Sequence, residues 1–268
     1  MSEGTSPSIS TNATRTFRTY VVIVGFLLLI LCFVPPVEGW ARRYEYVQAM
    51  QYLAFSVLIP ALLVVGAPWR WIGLASSRPL RIDDDGHLED DQSLRYIDRH
   101  VWVRQHQVSN ARAIWLMVFF VALTIFWRSA PVVDYLVRHG WVVVVEALSS
   151  VVVGVLLWTD LVESPPLAPG TTRPYRIGMS AIAMWTVWVL AYLDAMSHSS
   201  WYSAFHHVAG HGLSAAADQQ FSAAVMWFFS AAAFLPLVFW NLVHWLQSEE
   251  NPTDELNRMI RRERTFGS

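Results

Sequence analysis

The sequence predicts an all-α fold, a polytopic membrane helical bundle of about six transmembrane helices with both termini in the cytoplasm. Two observations predict it. Six runs are each apolar over nearly the length of a bilayer crossing, and the basic residues gather on alternate connections between them. A helix needs about 20 residues to cross the hydrocarbon. Hydrophobic residues make up 54% of the 268, and the mean hydropathy is +0.34, high for a soluble domain. A soluble bundle would carry a polar stripe along each helix, and these runs show almost none.

The first run, Thr19–Val34, is short of a full crossing. Pro35, Pro36 and Glu38 follow it rather than a small-residue cleavage site, so it reads as a retained span. Tyr46–Val65 is the second run and carries Pro60. Ala113–Trp127 is the third and is again short, so flanking residues must extend it. Trp141–Val162 and Ile177–Ala195 follow, then Phe221–Leu246 with Pro236. Neighbouring helices can re-satisfy a carbonyl freed by proline, so Pro60 and Pro236 read as kinks. Tryptophan is abundant, with 14 copies, and Trp40, Trp127, Trp141, Trp158 and Trp245 lie near run ends. There amphipathic rings favour the membrane interface.

The orientation follows from arginine. All 19 basic residues are Arg. With the N-terminus inside, the cytoplasmic segments hold Arg15 and Arg18, the seven Arg between Trp69 and Arg112, Arg173 and Arg176, and Arg258, Arg261, Arg262 and Arg264. Only Arg42, Arg43, Arg128 and Arg138 fall outside, an asymmetry that obeys the positive-inside rule. Residues 1–18 are expected to be a disordered cytoplasmic tail, 19–246 the transmembrane domain, and 247–268 a cytoplasmic tail. The loop at 68–110 is cytoplasmic in this scheme. Its Asp83-Asp84-Asp85-Gly86 run resembles a calcium loop, but Leu94 stands where the closing Glu belongs, so it reads as a solvated acidic turn. Ser93–Arg104 and the segment around Arg258–Arg262 read as surface helices. The net charge of −2 says little about partners, and nothing points to nucleic acid. The single cysteine, Cys32, excludes an intramolecular disulfide.

Polar residues are costly in lipid, so their placement carries information. Most lie toward the outer ends of the runs. Glu45, Gln48 and Tyr52 share one helical face, with Gln51 beside them. Arg128 and Asp134 follow the third run, Glu146 lies early in the fourth, Asp194, Met196 and His198 end the fifth, and Asp218-Gln219-Gln220 opens the sixth. Two readings stand side by side: a site that opens outward, or helix ends that are simply wet. His206, His207 and His211, with Asp218, form a candidate metal set. Copper suits it better than zinc if the Met196 thioether takes part. No Ser/His/Asp set, no H-E-x-x-H and no paired mid-membrane carboxylates are present, so an enzyme is not expected. No two histidines lie well inside different runs, which argues against a bis-His haem.

Three stretches carry a family resemblance. Gln48–Trp69 (QAMQYLAFSVLIPALLVVGAPW) is similar to an H-x-x-Q-H run followed by Pro-Leu-Leu-x-x-Gly-x-Pro. Phe126–Leu136 and Val143–Trp158 are similar to W-H-x-P-x-x-Y-D and H-x-x-x-H segments. Leu213–Trp227, with Asp218-Gln219-Gln220 and Met226-Trp227, is the most specific. Together they resemble the CtaG-type cytochrome c oxidase assembly factors, bacterial multi-spanning membrane proteins implicated in copper delivery, over residues 45 to 246. The resemblance implies an accessory or assembly factor in the bacterial plasma membrane. Its partners would be cytochrome c oxidase subunits and the lipid bilayer, and its cofactor copper handled at the outer face. A membrane transporter for a small solute or metal is the alternative.

The same comparison places the family's presumed histidine ligands on Gln48, Tyr52, Arg128, Val143 and Ala147, none of them imidazoles. A fixed guanidinium repels a metal cation. At an effective dielectric of about 20, unit charges about 4 Å apart interact by roughly 4 kcal/mol. Arg128 is therefore expected to pair with Glu146 or Asp134 and close the pocket. An export-dependent reporter fused within residues 200–206 should be active, and one fused near residue 90 inactive. The reverse pattern overturns the orientation.

Overall fold

A computed structural model describes residues 8–70, 110–162, 164, 171–197, 200–206 and 212–249, and these described residues form eight helices longer than a single turn. They are α1 (Ser8–Cys32), α2 (Pro35–Ala41), α3 (Glu45–Gly66), α4 (Asn110–Trp127), α5 (Ala130–Arg138), α6 (Val142–Leu161), α7 (Arg173–Met196) and α8 (Ala215–Glu249). The acidic run at 83–91, the expected helix at 93–104 and the C-terminal segment from residue 250 lie outside the described residues. So do His198, His207 and His211. Helix α1 starts at Ser8, ahead of its apolar run.

Four helices, α3, α6, α7 and α8, are each long and apolar enough to cross a membrane. The two short runs reach span length only as bent pairs. Helices α1 and α2 meet at 64°, and α4 and α5 at 63°, so counting each pair as one span gives six. Proline explains the first break and stands in the first turn of the helix that follows the second. It disfavours helical backbone in the residue before it, and Val34 before Pro35 is extended (φ −68°, ψ 134°). At the second break Ser129 is extended at the cap of α5, two residues before Pro131, and its hydroxyl donates back to the Phe126 carbonyl at 2.8 Å.

Helix α3 is the axis of the bundle. Its second half packs on α1 and α6, and its first half on α8; α7 and α8 pair along their length, and α4 lies on α6 and α7. Of its apolar window 72% is buried, against 28% for α8, so α3 is the helix the others surround. Large apolar side chains on the remaining helices, among them Trp185, Phe228, Phe239 and Trp240, face outward as a lipid-facing surface requires.

The expected kink at Pro60 takes a specific form. Residues Ala54–Leu58 adopt a π-helical turn, which absorbs the hydrogen bond that Pro60 cannot give to the Ser56 carbonyl. Helix α6 presses against this place with Gly154. A Cβ there would lie 2.7 Å from the Ser56 carbonyl oxygen and 2.5 Å from Pro60 Cγ. Pro236, by contrast, lies inside α8 without ending it. Gly66 meets the α1 backbone at Arg18 and Val22 in a similarly close approach.

Two of the five tryptophans expected at the interface are core residues instead. Trp127 and Trp158 are buried, whereas Trp40 and Trp141 are exposed. Trp127 Nε1 donates to Ser149 Oγ at 3.0 Å, which satisfies its one polar atom. Trp158 stacks on Phe234 with centroids 5.6 Å apart. Proximity to a run end did not separate rings that face lipid from rings that face α6 and α8.

Gly154→Ala should destabilise the purified protein by about 1–3 kcal/mol, because neither backbone oxygen nor proline ring can move aside easily. Gly178→Ala in α7, where a Cβ meets nothing within 4 Å, should be neutral or stabilising by up to about 1 kcal/mol. Thermal melting of both variants in one mild detergent checks the contrast.

Candidate functional site

The predicted polar residues converge at the end of the bundle where α3 begins and α7 finishes. Glu45, Gln48, Glu146, Asp218 and Ser222 are 0% exposed there, and Asp194 and Arg128 are 2% and 3% exposed. Desolvation this complete makes each missing partner expensive, so the connections matter more than the composition.

The start of α3 is capped from a distance. The first amide groups of a helix have no partner within it. Tyr44, at the cap position, makes no side-chain capping bond to these groups. Instead Asp218, on α8, accepts from the backbone N–H of Glu45 at 2.7 Å and of Tyr46 at 3.1 Å. A carboxylate at a helix N-terminus also meets the positive end of its dipole. Gln219 extends the same tie. Its Nε2 donates to the Asp194 carbonyl at 2.6 Å, and its Oε1 accepts from the Trp201 N–H at 2.9 Å. Gln220 is exposed and Met226 is buried. Trp227 and Trp188 exchange indole-to-carbonyl hydrogen bonds between α8 and α7 at 3.3 and 3.4 Å.

Arg128 stands at the centre, in the bend between α4 and α5. One terminal nitrogen donates to Gln48 Oε1, and the other to Asp194 Oδ2 at 3.2 Å and Ser222 Oγ at 3.5 Å. Its Cζ lies 5.2 Å from the Tyr202 ring centroid, within cation–π range. The Tyr202 hydroxyl donates to the Arg128 carbonyl at 3.1 Å. Burial pushes the Tyr202 phenol above its ordinary range, with the nearby guanidinium opposing, so it remains a donor. Gln48 relays the network onward, since its Nε2 donates to Glu146 Oε1 at 3.4 Å. Five helices are thus joined through one cation: α3 by Gln48, α4 by Arg128 itself, α6 by Glu146, α7 by Asp194 and α8 by Ser222.

The expected partner of Arg128 needs correction. Neither Glu146 nor Asp134 pairs with it; the ion pair is with Asp194. Glu146 is reached only through Gln48. Asp134 is carried away by the bend and accepts from the Ser203 and Ala204 N–H groups and the Ser203 hydroxyl at 3.2, 2.8 and 2.7 Å. That fixes the short turn Ser203–Phe205 and, with it, Tyr202. Asp194, Ser222 and Tyr202 were not foreseen as partners. Asp194 carried a signal, being a lone carboxylate at the next-to-last position of an apolar run.

Tyr52 is buried on the same face of α3 as Glu45 and Gln48, as its spacing predicts, and Val143 and Ala147 flank Glu146 on α6. Gln51 turns away and donates to the Cys32 carbonyl at 2.8 Å, tying α3 to α1. Among the described residues, neither Glu45 carboxylate oxygen has a hydrogen-bond partner, nor has Glu146 Oε2. Of the candidate metal set, His206 is exposed, with Nε2 3.1 Å from the Ser200 carbonyl, and both oxygens of Asp218 are engaged on α3.

The sequence profile of the family described as Cytochrome c oxidase caa3 assembly factor (Caa3_CtaG) matches residues 9–248. The chain belongs to this family. No curated protein and no solved structure matches it. In this member of the caa3 assembly factors, the residues around Arg128 do not fit a copper ion. Among the described residues no group of three or more His, Cys, Asp or Glu is arranged to hold a metal. The cluster offers amide, hydroxyl and carboxylate oxygens to a guanidinium, and copper prefers imidazole or sulfur.

Asp194→Asn leaves the Arg128 charge buried without its counter-ion and should cost about 3–5 kcal/mol. Glu146→Gln keeps the shape and a bond to Gln48 and should cost roughly 1 kcal/mol or less. Melting of the two variants side by side in detergent reads the difference; equal losses would contradict the ion-pair assignment.

Proposed function

We propose that this chain is an accessory factor for assembly of a haem–copper cytochrome c oxidase in a bacterial plasma membrane, acting by contact with oxidase subunits. The observation that carries this reading is the family match over residues 9–248. The arrangement of polar groups agrees with it. The buried network uses its hydrogen bonds to hold helices together, and among the described residues no nucleophile, base and orienting group stand in line for catalysis.

Both termini lie in the cytoplasm on this reading, given the arginine asymmetry, and the Arg128 end of the bundle faces outward. The exported domains of an oxidase are then within reach of the segment that carries Ser203 and His206. Copper handling, as far as this chain takes part in it, falls to His206, His207 and His211, and Asp218 remains the cap of α3. A transporter is the weaker reading, because the axis of the bundle is filled by α3, with Tyr52, Phe55, Val57 and Ile59 buried along it.

Affinity purification from membranes in mild detergent should recover oxidase subunits with this chain. Deletion should lower cytochrome c oxidase activity while oxidase transcripts stay level. Absence of oxidase subunits together with full oxidase activity in the deletion strain overturns the proposal. Copper measured in the same sample, before and after all three histidines are changed to Ala, decides the copper component.

A further inference from the structure

The buried end of the bundle is built as a receptor for a planar cation, and the chain supplies that cation itself. We infer that the Arg128 guanidinium is a resident substitute for a metal ion, so that the cation position of the cluster is filled by the chain itself, through its two terminal nitrogens. Two features of the geometry carry the inference. Oxygen acceptors are set around the two ends of the fork, Gln48 Oε1 on one terminal nitrogen and Asp194 Oδ2 and Ser222 Oγ on the other. An aromatic face, Tyr202, lies against Cζ at 5.2 Å. An amide, a carboxylate, a hydroxyl and a ring face together recognise a flat, delocalised cation; a small metal ion has no use for the ring face.

The charge argument points the same way. A guanidinium does not release its proton in a protein. A unit cation about 4 Å from it, at an effective dielectric of about 20, loses on the order of a thousandfold in affinity. Arg128 therefore cannot step aside by titration to admit a metal. The backbone locks it as well, since its carbonyl accepts from Tyr202 and its N–H donates to the Thr124 carbonyl. The inference concerns the folded chain alone and stands whether or not an oxidase is its partner.

The test uses the purified full-length protein. Arg128→Ala is prepared with millimolar methylguanidinium present from solubilisation onward. It should melt below the wild type without the additive, and methylguanidinium should restore much of the loss. Methylammonium, zinc and cuprous ion at the same concentration should not. Arg128→Lys, which keeps the charge and loses the fork, should melt between the two. Restoration by a metal ion and not by methylguanidinium overturns the inference, as does an Arg128→Lys variant as stable as wild type. If Arg128→Ala does not accumulate, copper titration of the folded protein decides. In a variant with His206, His207 and His211 all changed to Ala, absence of stoichiometric copper supports the inference. Stoichiometric copper in that variant, lost on Gln48→Ala, overturns it.

Discussion

A buried positive charge is the constraint around which this bundle is arranged. Arg128 is withdrawn from water at the junction of α4 and α5, and such a charge is tolerable only when paired and hydrogen-bonded. The bundle answers with one group from each surrounding helix: Asp194 from α7, Ser222 from α8, Gln48 from α3 and, through Gln48, Glu146 from α6. Each of these helices must end at a particular height and with a particular rotation to reach it. In lipid the helices gain little from hydrophobic burial against one another, because the surrounding tails are as apolar as the core. Polar ties of this kind, together with close backbone approaches such as Gly154 on Ser56 and Gly66 on α1, therefore carry more of the specificity than in a soluble bundle.

The two ends of α3 illustrate the division of labour. Its first half is fixed by polar groups that arrive from far along the chain, Asp218 on its amide groups and Arg128 on Gln48. Its second half is fixed by shape, where a π-helical turn and Pro60 create a surface that only glycine on α6 can approach. The bent pairs serve the polar end. The break after α4 places Arg128 inward, and the same break sends α5 sideways so that Asp134 can hold the turn bearing Tyr202. A straight α4–α5 helix would give the cluster neither its cation nor its aromatic wall.

The spans and the level of the polar residues were legible in the sequence because both follow from transfer free energies of single residues. Even the defect was legible: runs one and three were too short, and these are the two that bend. Pairings were not legible, because they depend on rotation about helix axes and on where a bend sends the chain. Asp134 is six residues from Arg128 and turns away from it, whereas Asp194 is 66 residues off and touches it. Trp127 and Trp158 failed for the same reason, since depth along a run does not say which way a ring points. His206 is exposed, with Nε2 3.1 Å from the Ser200 carbonyl, and takes no part in the Arg128 network.

Family membership and ligand chemistry separate in this chain. The residues that most resemble the family, Asp218 and Gln219, serve as structural ties: one caps α3, the other binds α7 and the Trp201 backbone. A bundle can keep such ties while the chemistry at its centre changes, because the ties set the helix positions and the central side chain only has to meet them. Exchanging a metal ion for a guanidinium is a modest change in these terms. Both are cations that draw polar groups inward, but the guanidinium is covalently attached and cannot be delivered to another protein. On the proposed reading, a chain built this way retains the shape that an oxidase subunit would recognise and carries no cargo at its buried centre, which fits a role by contact rather than delivery.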